Sequence, residues 1–185
     1  MENVREMFVH ELGDIKDAET KLLSALERMA KKVSDENLKQ LLLNHRSETE
    51  DQIERLDQVF QSLDEKSKRQ PCKGMSGLIE EFQHFVKEEK PADEILDIYA
   101  VGASIKVERY EISSYESLIG MAQKLGLQEA VTLLEQNLEE ERTALSKLEE
   151  LGQDLLGQLP EEDESEDEDE EEEVTVSSGR KGRSR

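Results

Sequence analysis

The chain has 185 residues, 46 acids against 24 bases, a net charge of −22, one cysteine, three prolines and no tryptophan. That length supports one domain with a core and something beyond it, and a lone cysteine, Cys72, excludes an internal disulfide. The chain opens on charged residues (Glu2, Arg5, Glu6) instead of an apolar signal core, and no run is long enough to span a bilayer, so a cytoplasmic protein without membrane contact is expected.

From Val4 to Val33 the apolar positions Val4, Met7, Phe8, Leu12, Ile15, Leu22, Leu26, Met29 and Val33 keep a helical period. Glu19 interrupts that stripe, four after Ile15 and three before Leu22. Ser34 and Asp35 are good caps for a second helix running to about Leu63. Its stripe is Leu38, Leu41 and Leu42, then Leu56, Val59 and Leu63. Between Leu42 and Leu56 the spacing falls on His45, Glu48 (or Thr49) and Gln52, which turns an imidazole and a carboxylate inward. These two helices form an antiparallel hairpin, each about 45 Å long at 1.5 Å per residue.

Lys66 to Gly77 breaks the pattern with Pro71, Gly74 and Gly77, after which Leu78, Ile79, Phe82, Phe85 and Val86 predict a shorter amphipathic helix. Pro91 followed by Asp93 and Glu94 starts a third long helix. Its stripe is Ile95, Ile98, Val101, Ile105, Ile112, Ile119 and Ala122, with Glu108 falling between Ile105 and Ile112 and Glu111 one turn on, and it stops at Gly126. The fourth runs from about Leu127 to Leu151 with Val131, Leu134, Leu138, Leu145 and Leu148 inward and Glu141 completing the stripe. Two hairpins joined by a long connection predict an all-α four-helix bundle over residues 1–157, its crossover holding a short extra helix.

Residues 158–185 read differently. Positions 161–173 hold twelve acids and one serine, and the last twelve residues hold Arg180, Lys181, Arg183 and Arg185 with no acid. Such a run repels itself and buries nothing, so a disordered tail is expected. Without these two stretches the chain retains 34 acids and 20 bases, an acidic body that disfavours nucleic acid and suits cations.

Counting residues from each hairpin turn gives relative heights. Glu19 and Glu48 are equally far from the turn between Val33 and Ser34, and Glu111 and Glu141 are each fifteen residues from Gly126. Glu108 and His45 lie within a turn of the same layer. Buried charge is costly without a partner, and carboxylates from four helices with one imidazole are the chemistry of a di-iron or di-manganese carboxylate site. The candidate ligands are Glu19, His45, Glu48, Glu108, Glu111 and Glu141, with Gln52 and Tyr115 supporting them. His10 and His84 read as surface or boundary residues, and Tyr110 and Tyr115 as core.

The segments Phe8-Val9-His10-Glu11-Leu12 with Ala18-Glu19, His45 through Leu56, Gly77-Leu78-Ile79-Glu80-Glu81, Val107 through Tyr115 and Glu139-Glu140-Glu141 together carry a family likeness. On these residues the sequence resembles the ferritin-like stress proteins of the YciE/YciF type, sometimes labelled ferroxidases, over about residues 1–155. The resemblance implies a ferritin-like bundle, a homo-oligomer such as a dimer, and a rubrerythrin-like di-metal centre. Ferritin-like centres carry Glu-x-x-His on the second and fourth helices. Here the second carries His45-x-x-Glu48 in reverse order, and the fourth has no histidine.

The expected function is that of a di-metal protein holding two iron or manganese ions and acting with dioxygen or peroxide, in iron oxidation or peroxide detoxification under stress. The alternatives are a rubrerythrin-like peroxidase, a metal-free oligomeric scaffold, and a cargo protein of an encapsulin-type shell docking through residues 174–180, which resemble shell-loading peptides.

Overall fold

The computed structural model describes residues 1–160; the expectations for the tail, including residues 174–180, lie outside them. Five helices make up the fold: α1 (Val4–Ala30), α2 (Glu36–Ser62), α3 (Lys73–Glu89), α4 (Asp93–Leu125) and α5 (Gln128–Gly157). α1 pairs with α2 and α4 with α5. The two hairpins then pack side by side, α2 against α5 and α1 against α4, while α3 lies across α1 and α4. The fold is thus a ferritin-like four-helix bundle with a helix in its crossover, and no helix among the described residues is long and apolar enough to cross a membrane.

Local chemistry fixes the helix ends. Asn3 caps α1 by accepting from Glu6 N, and Asp35 caps α2 by accepting from Leu38 N at 2.8 Å. The buried carboxylate of Asp97, on α4, accepts from Ser34 N, the Ser34 hydroxyl and Asp35 N at 2.6–2.9 Å. One side chain therefore ties the start of the second hairpin to the turn of the first. α4 ends at Gly126, whose φ of 71° is the left-handed conformation glycine adopts most cheaply.

The crossover helix starts earlier than the glycines suggest. Cys72 caps it, its Sγ accepting from Met75 N, so Gly74 and Gly77 fall inside α3. Gly74 is there for space, because a Cβ at this position would stand 2.6 Å from Cε2 of Tyr110. The crossover is stitched down at the same point, where Asp17 Oδ2 accepts from Cys72 N at 2.8 Å and Lys21 donates to Cys72 O at 2.8 Å.

The inward face of α4 is a second difference. The isoleucine stripe of the sequence is not its centre: Ile95 is 45% exposed, and Ile98, Ile105 and Ile112 are half-buried. Leu96, Ala100, Val107, Tyr115 and Leu118 are buried, together with Val101, Ile119 and Ala122 of that stripe. α4 packs on α1, α3 and α5 together, so three neighbours cover a wide face, and Ile95, Ile98, Ile105 and Ile112 lie at its flanks while Ile119 is inside it. The shift leaves Glu108 and Glu111 in the middle of that face, both buried.

Candidate metal centre

At mid-bundle the four long helices each contribute a polar side chain to one chamber. Glu19 from α1, His45 from α2, Glu108 and Glu111 from α4 and Glu141 from α5 are all buried. A ligand atom from each of His45, Glu108, Glu111 and Glu141 lies within 4.8 Å of the other three. His45 Nε2 is 3.3 Å from Glu108 Oε1 and 3.8 Å from Glu141 Oε2. Neither approach has hydrogen-bond geometry, so both ring nitrogens lack a partner.

Glu48 is placed differently from the other candidates. Its side chain is 39% exposed, with Oε2 3.7 Å from His45 Nδ1. Thr49, fully buried, takes the inward slot and donates to His45 O. A helix offers one centre to each turn of its buried face, and here the small hydroxyl residue occupies it. Glu48 sits at the rim beside a small cavity of about 20 Å³, which Leu26, Leu42, His45 and Glu108 also line.

Around the chamber is a hydrogen-bonded chain. The Tyr115 hydroxyl donates to Glu19 Oε1 at 2.5 Å, and Asn137 Nδ2 donates to that hydroxyl oxygen at 2.9 Å. Arg55 donates to Asn137 Oδ1 at 2.6 Å and grips Glu140 with both terminal nitrogens at 2.6–2.7 Å. Gln52 is buried alongside, with both amide atoms unpartnered. Asn137 and Arg55 were not singled out in the sequence, although Asn137 stands three after Leu134 and four before Glu141, on the same helical stripe. Tyr110 points elsewhere, its hydroxyl meeting Cys72 Sγ at 3.1 Å and Asp14 at 3.4 Å. His10 and His84 lie outside the chamber; His10 pairs with Glu11 and His84 is exposed.

Such proximity distorts the ionisation of every member. Burial, reinforced by the charge of Glu141, pushes the Glu19 carboxyl up to about 8. Burial likewise lifts Glu111, Glu108 and Glu141, with neighbouring carboxylates adding to the rise. Burial opposes the His45 imidazolium, but Glu108, Glu48, Glu141 and Glu19 outweigh it and hold the ring up to about 10. His45 in turn keeps Glu48 below the usual carboxylate range.

The donor set fits a metal. Ten buried side-chain polar atoms among the described residues lack a hydrogen-bond partner, and all belong to Glu19, His45, Gln52, Glu108, Glu111 and Glu141. Native interiors leave few such atoms unsatisfied. Gathering them in one chamber of carboxylates and one imidazole is the arrangement that a hard divalent cation resolves.

Fold and chamber together define a ferritin-like helical bundle with a buried histidine–glutamate cluster. The chain belongs to the family described as Domain of unknown function (DUF892), whose model matches residues 3–159. It is 41% identical over 152 residues to Protein YciF of Escherichia coli (strain K12), covering 82% of this chain and 91% of that one. The crystal structure of the E. coli stress protein YciF superposes with a TM-score of 0.82 at 39% identity, covering 86% of this chain and 100% of that one. YcfI from Rhodopseudomonas palustris matches with a TM-score of 0.78 at 37% identity, over 80% and 94% of the two chains. A protein from Xanthomonas campestris pv. campestris shares the fold at 21% identity, with a TM-score of 0.67 over 84% of this chain and 94% of that one.

Proposed function

We propose that the protein is a di-metal carboxylate protein of the stress response, holding two iron or manganese ions between Glu19, His45, Glu108, Glu111 and Glu141, with Glu48 at the open side. The observation that carries this reading is the concentration of unpartnered buried ligand atoms in one layer. A stress role is supported by the likeness to E. coli YciF, which is described as a stress protein. When bound, a di-iron pair supplies the oxidation of Fe(II) by dioxygen or peroxide.

The chain's own residues prepare that chemistry. Tyr115 holds Glu19 Oε1 and leaves Oε2 free to coordinate. Glu111 and Glu141 would each offer carboxylate oxygens from a different helix, and the cations they hold would relieve their mutual repulsion. His45 supplies the one nitrogen, and Leu26, Leu42 and Leu148 exclude water beside it.

A second reading has an observation of its own. A protonated His45 lies against Glu108, Glu141 and Glu48, which partly neutralises the chamber without metal. On that reading the protein is a metal-free helical stress or scaffold protein. Metal analysis of protein purified without chelator, followed by anaerobic Fe(II) titration, decides between them. Two ions bound per chain is the expected result, and a chain that neither retains metal nor takes up Fe(II) leaves the second reading standing.

A further inference from the structure

Glu108 lines two cavities of opposite chemistry. One, of about 600 Å³, lies under α3; Leu26, Phe82 and Val107 are among its apolar walls, and the exposed bases Arg28, Lys32 and Lys87 border it. The other is the space of about 20 Å³ beside His45, between α2 and α5. Asn44 and Glu48 line it from α2, and Ala144 and Lys147 from α5. A divalent cation is repelled by the bases of the first and gains nothing from its walls. The second offers it a carboxylate.

Exposure at the chamber is one-sided in the same direction. Glu19, Glu111 and Glu141 are fully buried, whereas Glu48 is half-buried and Asn44 and Lys147 are exposed. Glu48 Oε2 is 3.7 Å from His45 Nδ1, and His45 Nε2 is 3.3 Å from Glu108 Oε1, so the imidazole stands between rim and chamber with one nitrogen toward each. Both of its nitrogens are buried and unpartnered. Lys147 lies near enough to Glu48 for its charge to help hold that carboxyl low.

The size of the space sets the task. It takes about one water, whereas a hydrated divalent cation carries a shell of roughly six oxygens. An ion crossing it sheds most of that shell, which is costly unless protein donors replace the lost waters.

We propose that Glu48 is the capture ligand for the incoming divalent cation, passing it through the gap between α2 and α5 to His45 and Glu108, with Lys147 as the opposing charge that slows the traffic. Glu48 touches the ion in transit and belongs to neither resident position. This assignment rests on the metal reading and gives Glu48 a kinetic role. A group that meets the ion only at the barrier alters uptake and release by about the same factor, whereas loss of a resident ligand chiefly speeds release.

Stopped-flow absorption of Co(II) binding to the chelated full chain, with release followed by a chase into excess EDTA, tests it. Glu48→Gln slows uptake about tenfold, the low end of what focused charge adds to an association rate. It slows release by a similar factor, so Kd moves by less than about threefold. Glu48→Asp restores most of the rate, because a carboxylate returns to the rim. Lys147→Gln speeds uptake, and the gain shrinks at high salt. Ile79→Trp, which narrows the cavity under α3, leaves uptake at the parent's rate. Uptake unmoved by Glu48→Gln or by Lys147→Gln overturns the assignment. Faster release without slower uptake in Glu48→Gln does so by making Glu48 a resident ligand, and slowing by Ile79→Trp does so by moving the entrance under α3. A parent chain that binds no Co(II) at equilibrium overturns the metal reading itself, and this assignment with it.

Discussion

Tyr115 on α4 donates its hydroxyl proton to Glu19 on α1 across the bundle, at 2.5 Å and fully buried. The bond joins the two hairpins at the layer of the cluster, and Asn137 on α5 locks it from the third side. Replacing Tyr115 by Phe removes the donor, leaving Glu19 with two unpartnered oxygens and Asn137 Nδ2 without its hydroxyl. Urea unfolding should show a loss of about 1–3 kcal/mol for Tyr115→Phe. A midpoint equal to the parent's would mean that the bond contributes nothing in solution.

Glu141→Gln keeps the volume of the side chain and removes a charge from the chamber. Fe(II) affinity should fall by at least about tenfold, while the metal-free protein becomes no less stable, because a carboxylate raised by burial and its neighbours resists ionising there. Glu48→Gln should weaken binding less, since that side chain sits at the rim. The ranking is read by competitive titration, and a larger loss from Glu48 than from Glu141 would move the site outward.

The chelated protein should be most stable in mild acid. Glu19 carries a folded pKa of about 8, above the ordinary 4.5, so its contribution is complete below 4.5 and disappears as pH rises through about 8. His45, raised from 6.5 to about 10, acts in the same direction: complete below 6.5, gone as pH rises through about 10. Glu48 and Asp17 act oppositely. Both are held low, Glu48 by the neighbouring His45 imidazole and Asp17 by the Lys21 and Cys72 bonds that outweigh its burial, so their contributions vanish on acidification. The urea midpoint should therefore fall between about pH 5.5 and pH 9. A midpoint that climbs steadily over that interval would show that the carboxylates are paired and ionised throughout.

Gly74→Ala should destabilise the crossover by about 1–3 kcal/mol through overpacking. The added Cβ meets the Tyr110 ring, and moving that ring loosens its contacts with Cys72 Sγ and Asp14. Thermal melts of the variant and of Gly74→Ala with Tyr110→Leu measure it. The smaller partner should recover most of the loss, and absence of recovery would trace the effect to helix propensity instead.

Helix number, hairpin pairing and the height of the polar layer were legible in the sequence, because helical periodicity and residue counts from a turn are local quantities. Glu19, Glu108, Glu111 and Glu141 stand where an apolar stripe should continue, and so reveal themselves without a structure. Rotation about the helix axis was less legible. Glu48 and Thr49 both continue the α2 stripe, and only packing against α1 and α5 decides that Thr49 goes in and Glu48 stays at the rim. The same is true of α4, where Val101, Ile119 and Ala122 of the stripe are buried as expected but Ile95, Ile98, Ile105 and Ile112 fall at the flanks of the wider face that three neighbouring helices cover. The cavity under α3 was invisible for a stronger reason: it is space left between elements, fixed by how Gly74, Tyr110 and Asp17 seat the crossover, and no single stretch of chain encodes it.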